Sequence, residues 1–253
     1  MNYNKIAEKL DTAALNAKAI PQISLERKLN LEEAYAVQSI LLARRYIRNE
    51  KLTGLKLGFT SKAKMEQMGV HDMIWGRLTD EMCYHNGASL PRDKFIHPRA
   101  EPEIAFLIKK RIDKILNHSD LEEYIQGVAV AIEIIDSRYE NFKFSLEDVI
   151  ADNCSSSGYA IGDWMPVTTN LYDINIQLKQ GSEIIQEGNS NAILGNPLDS
   201  LAAVSRLALE SGEVIDNGHI VLAGAATPAV FIEKNQHIQA VAEGLGSVSL
   251  NVV

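Results

Sequence analysis

The sequence predicts an α+β protein in which a helical N-terminal region packs on a larger, β-rich core. Three observations carry this expectation. Helical periodicity and capping signals are confined to the first seventy or so residues and one later segment. From about Trp75 onward, short runs rich in β-branched and apolar residues dominate, separated by turn residues. These strands do not alternate regularly with helices, which argues against a doubly wound parallel sheet. The expected division is a helical region over 1–74 and a catalytic core over 75–253, forming one folding unit.

The elements follow in order. A first helix is expected over roughly Tyr3 to Lys18, and Pro21 separates it from the next. Asn30 precedes the run LEEAYAVQSILLARRYIR, and Glu33 stands three residues on, a variant of the capping box. Ala34, Val37 and Leu41 share one face of this second helix, while Arg44, Arg45 and Arg48 occupy its last turns, where cations suit the dipole. LKLGFT reads as a short strand, and SKAKMEQM as a brief helix stopped by Gly69. EIAFLI and VAVAIEII read as strands, and LEDVIADN and YAIGDW continue that pattern. INIQLKQGSEIIQEG holds two alternating stretches around a Gly-Ser turn. PLDSLAAVSRLALES is a helix stopped by Gly212, after which HIVLAGA and GSVSLNVV close the chain as strands.

Composition narrows the function classes. The 253 residues are 46% hydrophobic, 23% charged and 6% aromatic, unlike a disordered or fibrous chain. Net charge is −8 and the pI about 5.3, opposite to the basic footprint of a general nucleic-acid binder. Cys83 and Cys154 are too few and too far apart for a disulfide framework or a zinc site. No apolar run suits a signal peptide or a membrane span, so a cytoplasmic small-molecule protein is expected.

The chemistry concentrates in four places. In RAEPEIAFLI, Glu101 and Glu103 lie two apart on a strand and share a face, with Ile104, Phe106 and Ile108 on the other. Side-by-side carboxylates repel unless a cation sits between them, and oxygen ligands suit Mg²⁺ or Mn²⁺. The competing reading is a solvated strand end. Glu133 interrupts the apolar stretch VAVAIEII, where an ionised carboxylate must be paired or bind a metal. Its structural alternative is a pair with Arg138. Lys56 sits between Leu55 and Leu57, placed to bind a carboxylate or to donate a proton with a pKa lowered by burial, or else simply facing solvent. The turns DNCSSSG (152–158) and AGAATP (223–228) offer hydroxyls and backbone donors for an anion, though a tight turn alone also calls for small residues. The six histidines lack ligand spacing, Cys154 reads as structural, and GLGS is not a dinucleotide fingerprint.

The blocks KLGFTS (56–61), EPEIAF (101–106), AIEIIDSR (131–138) and ADNCSS (151–156) occur in one order. Together they resemble the hydratase and decarboxylase branch of the fumarylacetoacetate hydrolase superfamily, over nearly the whole chain from about Leu31. The resemblance implies a mixed β-sheet roll with an N-terminal helical region and a homo-oligomer. It implies Glu101, Glu103 and Glu133 as ligands of a divalent metal, Mg²⁺ or Mn²⁺, and Lys56 as an active-site residue. AKMEQMGV (63–70) and SRYENFKF (137–144) resemble the decarboxylases of the branch more than its hydratases. The implied reaction is loss of CO₂ from 2-oxohex-3-enedioate, with hydration of 2-hydroxypenta-2,4-dienoate as the alternative. An inactive metal-binding partner subunit is a third reading, and a complex with a pathway hydratase is an implied association. On this resemblance Ser155, Ser156 and Thr227 bind substrate, and Glu81 is a catalytic residue, a candidate base, where the family usually carries an aspartate. Asn196 and Ala225-Ala226 also depart from the family pattern, at a histidine and at a glycine-containing turn.

Overall fold

The computed structural model describes residues 2–60 and 72–253 of the chain. Two helices open it: α1 (Tyr3–Leu15), capped by the Asn2 side chain, and α2 (Leu31–Ile47). The capping box expected at α2 is formed in both directions, Asn30 accepting from the Glu33 N–H at 2.8 Å and Glu33 accepting from the Asn30 N–H at 3.0 Å. Arg44 of α2 and Arg48 at its C-cap also reach the buried Asp11 of α1, tying the two helices together. The short helix expected over SKAKMEQM, and the AKMEQMGV block with it, lie outside the described residues.

The rest is built on two sheets. The larger contains β1 (Leu52–Gly58), β2 (Ile74–Thr79), β3 (Cys83–Tyr84), β5 (Arg99–Ile108), β6 (Ile125–Ile135), β7 (Ser156–Ile161), β10 (Ile220–Ala225) and β11 (Val230–Phe231). Its order is β2-β1-β10-β5-β6-β7-β3, with β11 added to the start of β5, and it mixes parallel and antiparallel pairs. The smaller contains β4 (Ser89–Leu90), β8 (Asn175–Gln180), β9 (Glu183–Asn189), β12 (His237–Ala242) and β13 (Gly246–Val252), in the order β4-β13-β12-β8-β9. This is the mixed α+β architecture that the sequence predicts. β1 belongs to the expected N-terminal region, yet it is an inner strand of the large sheet, between β2 and β10.

Strand alternation decides which residues go where. Ile104, Phe106, Ile108, Val128, Val130, Ile132, Leu55 and Leu57 all enter one large apolar cluster with the inner residues of the smaller sheet. Every second residue of the same strands therefore points to the opposite face, where Ala105, Ala131, Tyr159 and Leu222 form a much smaller cluster. A third cluster lies under α1 and α2 and includes Ile6, Leu10, Val37, Leu41, Tyr139 and Ile150. Two short helices, α3 (Leu121–Tyr124) and α4 (Leu146–Ala151), and the longer α5 (Pro197–Glu210) complete the fold.

The segment LEDVIADN corrects the strand expectation, because it folds as α4. Its signal is local: Ser145 accepts from the Asp148 N–H at 3.1 Å, and Asp148 accepts from the Ser145 N–H at 3.1 Å. This reciprocal cap nucleates one helical turn and overrides the apolar run. α5 forms as expected, with Asn196 as N-cap, Pro197 at the first turn and Gly212 (φ 71°) beyond its end. No helix among the described residues is long and apolar enough to cross a membrane.

Candidate metal centre and substrate cavity

Register places the acidic residues. Glu101 and Glu103 project from the same face of β5, and Glu133 on β6 is the direct partner of Glu101. Lys56 of β1 pairs with Leu222 of β10, which pairs with Ala105 of β5, so all four side chains share the smaller apolar face. The three glutamates each offer a carboxylate oxygen, and these oxygens lie within 4.8 Å of one another. Glu103 and Glu133 are fully buried. The carboxylates thus come together on one site rather than at a solvated strand end.

The donor set fits a hard divalent cation. Glu103 Oε1 and Glu133 Oε1 are buried without a partner, which is costly for a carboxylate that nothing else satisfies. Lys56 Nζ lies 3.0 Å from Glu133 Oε2 and supplies one positive charge to the cluster. A divalent cation relieves the repulsion among carboxylates so close together, and oxygen ligands are the kind Mg²⁺ and Mn²⁺ take. Without such a cation, burial together with the Glu133 and Glu101 charges pushes the Glu103 carboxyl well above the usual carboxylate range.

Backbone details hold this centre in place. Gly224 of β10 donates its N–H to Glu103 Oε2 at 2.8 Å from a left-handed φ of 110°. A Cβ at Gly224 would stand 2.2 Å from Thr60 Oγ1, so both the conformation and the close approach require glycine.

Lys56 differs from expectation in one respect. Burial acts to lower its pKa, but the surrounding negative charges, Glu133 foremost, outweigh that and hold it above the ordinary lysine value. It is a buried ammonium paired to Glu133, not a lysine made neutral by desolvation. The alternative partner for Glu133, Arg138, is committed elsewhere. Its guanidinium bonds to the Asp152 side chain and carbonyl and to Ser157 Oγ.

A cavity of about 470 Å³ opens onto this centre, lined among others by Lys56, Glu101, Cys154, Ser155 and Thr227. Ser155 ends a turn in which Asn153, Cys154 and Ser155 have left-handed φ values of 52°, 53° and 59°. Non-glycine residues adopt this region at a cost, so the surroundings must impose it. They do: Asn153 clamps Arg77 of β2 through both backbone groups, at 2.8 and 2.9 Å, and Cys154 Sγ donates to the Trp75 carbonyl at 3.1 Å. The turn leaves Ser155 Oγ buried, unpartnered and on the cavity wall. Ser156 Oγ is also buried without a partner, at the start of β7. Thr227 lines the cavity and donates to the Pro228 carbonyl at 3.2 Å. Burial pushes the Cys154 thiol up to about 12, consistent with a structural cysteine.

Glu81 is exposed on the single turn Asp80–Met82 and is not among the residues lining the cavity. The departure at Asn196 likewise concerns a helix cap, since its side chain accepts from the Leu198 N–H. The sequence reading missed Arg99, Phe142 and Phe144, which also line the cavity. Arg99 carried a usable signal, because it lies two residues before Glu101 and so shares its face. The aromatic residues carried none, since only the fold brings their loop to β5.

The family model described as the C-terminal region of fumarylacetoacetate (FAA) hydrolase matches residues 57–253. A 4-oxalocrotonate decarboxylase of a Pseudomonas species is 42% identical, over 99% of this chain and 98% of that protein. A 2-keto-4-pentenoate hydratase of Dechloromonas aromatica is 32% identical, over 86% of this chain and 84% of that one. The solved structure of 4-oxalocrotonate decarboxylase from Pseudomonas putida G7, complexed with magnesium and adipate, superimposes with a TM-score of 0.95 at 34% identity, covering 99% and 97% of the two chains. The match of the family model to more than half of the chain, and the full-length likeness beside it, establish that this protein belongs to the fumarylacetoacetate hydrolase family.

Proposed function

We propose that the protein is a divalent-metal-dependent decarboxylase that converts 2-oxohex-3-enedioate (4-oxalocrotonate) to 2-hydroxypenta-2,4-dienoate and CO₂. The observation that carries the choice of reaction is the likeness to a decarboxylase along the whole chain, 42% identical, against 32% over a shorter span for a hydratase. The buried three-glutamate centre beside Lys56 supplies the chemistry.

In this reading Glu101, Glu103 and Glu133 hold Mg²⁺, with Mn²⁺ as the substitute. A bound cation supplies electrostatic stabilisation for the oxygen on which negative charge develops. The reaction breaks the bond between the distal carboxylate and the adjacent methylene. Its electron pair forms a new double bond, the existing one shifts toward the oxo carbon, and the oxo oxygen receives the last pair and then a proton. Lys56, held as an ammonium by Glu133, orients the substrate and is positioned for proton transfer. Ser155, Ser156 and Thr227 bind the substrate through their hydroxyls. The apolar walls around Ile135, Phe142 and Phe144 keep water from the leaving carboxylate.

The second reading is hydration of 2-hydroxypenta-2,4-dienoate, favoured by the hydratase relatives and by a metal centre that suits both reactions. CO₂ release from the enedioate, measured beside water addition to the dienoate with Mg²⁺ present, decides between them. Faster hydration without CO₂ would assign the protein to the hydratases, and no turnover of either would point to an inactive partner subunit. The reading extends to a cytoplasmic homo-oligomer that associates with the hydratase consuming its product. Light scattering of the protein, alone and mixed with that hydratase, tests the assembly.

A further inference from the structure

Arg99 stands out among the little-exposed arginines. Arg45, Arg77 and Arg138 each pair with a carboxylate, Glu50, Glu213 and Asp152 respectively. Among the described residues the Arg99 side chain has no ion pair and no hydrogen bond, and its Nε–H is buried without a partner. A guanidinium offers five donors in a planar fork, and a buried Nε–H left unmatched is costly unless a ligand completes it.

Its surroundings are built rather than incidental. Arg99 lies on the cavity wall, on the same face of β5 as Glu101 and Glu103. Its guanidinium carbon sits 4.1 Å from the centroid of the Phe142 ring. Phe142 in turn packs against Phe144 and His97, at centroid separations of 5.6 and 5.2 Å. Asn141 and Phe142 both hold left-handed φ values, 57° and 56°. For a bulky residue such as phenylalanine that conformation is an outlier, and here it sets the ring under the arginine. The stack fixes the plane of the fork and leaves its edge for an acceptor.

We propose that Arg99, held by Phe142, is the residue that recognises the distal carboxylate of a 2-oxo dicarboxylate whose other end lies at the three-glutamate centre. This deepens the decarboxylase reading and rests on it for the identity of the substrate. Successive strand residues rise about 3.3 Å, so the Arg99 backbone stands about 7 Å from that of Glu101 along β5. A six-carbon diacid and the length of the arginine side chain together bridge that spacing. A monocarboxylate 2-oxo acid engages the glutamate centre and leaves Arg99 unmatched. Arg99 therefore determines specificity for diacids over monoacids and takes no part in the bond changes.

The test uses the Mg²⁺-loaded protein and two stable probes, 2-oxohexanedioate and 2-oxohexanoate, which differ only in the distal carboxylate. Calorimetry should show the wild type preferring the diacid by roughly ten- to a hundredfold, the range of a charge-assisted bidentate contact. Arg99→Met should lose that preference while binding 2-oxohexanoate as the wild type does, and Arg99→Lys should recover part of it. In turnover, Arg99→Met should raise KM for the enedioate more than it lowers kcat. A diacid preference that survives in Arg99→Met, or that is absent from the wild type, overturns the proposal. If Arg99→Met binds neither probe, Arg99→Lys decides: a partial diacid preference supports the proposal and none overturns it. The decarboxylase reading fails separately, when a wild type that prefers the diacid releases no CO₂. The Arg99 site fails alone when CO₂ is released and Arg99→Met still discriminates.

Discussion

Glu101 and Glu133 face each other as register partners across β5 and β6, with Glu103 two residues along the same face. A direct cross-strand pair of like charges destabilises a sheet. Here the pair is retained at the wall of a cavity, beside the buried Lys56 ammonium. The arrangement makes sense as a site whose repulsion a divalent cation relieves.

The first prediction is a metal-dependent stability. Mg²⁺ or Mn²⁺ should raise the unfolding temperature, and a chelator should reverse the effect. At a hundredfold excess over Kd the gain is about 2.7 kcal/mol. Glu133→Gln should reduce metal affinity and turnover together, each by about tenfold or more. Metal binding in the variant equal to that of the wild type would show that Glu133 is not a ligand.

The second concerns Lys56. Lys56→Met keeps much of the buried volume and removes the ammonium 3.0 Å from Glu133. Breaking a buried pair by removing one partner costs about 3–5 kcal/mol, so the metal-free variant should be markedly less stable. Metal should recover much of that loss, while turnover stays low. Wild-type turnover at saturating metal would make Lys56 structural only.

The third concerns Gly224. Its φ of 110° and its approach to Thr60 leave no room for a side chain. Gly224→Ala should displace β10 from Glu103 and lower metal affinity, along with a stability loss above about 1 kcal/mol. Unchanged metal titration would separate the Glu103 bond from the metal site.

The fourth is a pH dependence far from the cavity. Burial works to raise the Asp11 pKa, but bonds from Arg48 and Arg44 outweigh it and hold the carboxyl below its ordinary value of 3.8. A depressed carboxylate contributes stability above its unfolded pKa and loses it as pH falls through the folded one. Asp11→Asn should therefore destabilise by about 1–3 kcal/mol at neutral pH. The gap between wild type and variant should narrow as pH drops below 3.8, the unfolded value. A gap that stays constant as pH falls well below 3.8 would show that charge is not what Asp11 contributes.

The sequence by itself determined which face of its strand each glutamate occupies. Alternation in RAEPEIAFLI and VAVAIEII separates the glutamates from Ile104, Phe106, Val130 and Ile132, because strand side chains alternate with a period of two. Reciprocal capping marked α2 and, at Ser145 and Asp148, outweighed the apolar run that had suggested a strand. What only the tertiary structure decided is partnership. Lys56, and not Arg138, neutralises Glu133, because the sheet order β1-β10-β5-β6 brings that lysine to the same face while Asp152 takes up the arginine. Glu81, acidic and near in sequence to β2, ends on an exposed turn, while Arg99 and Phe142, more than forty residues apart, stack across the cavity. Periodicity is a local consequence of backbone geometry and is legible in one strand at a time. Charge pairing depends on distances between strands far apart in the chain, and these are set only when the sheets close.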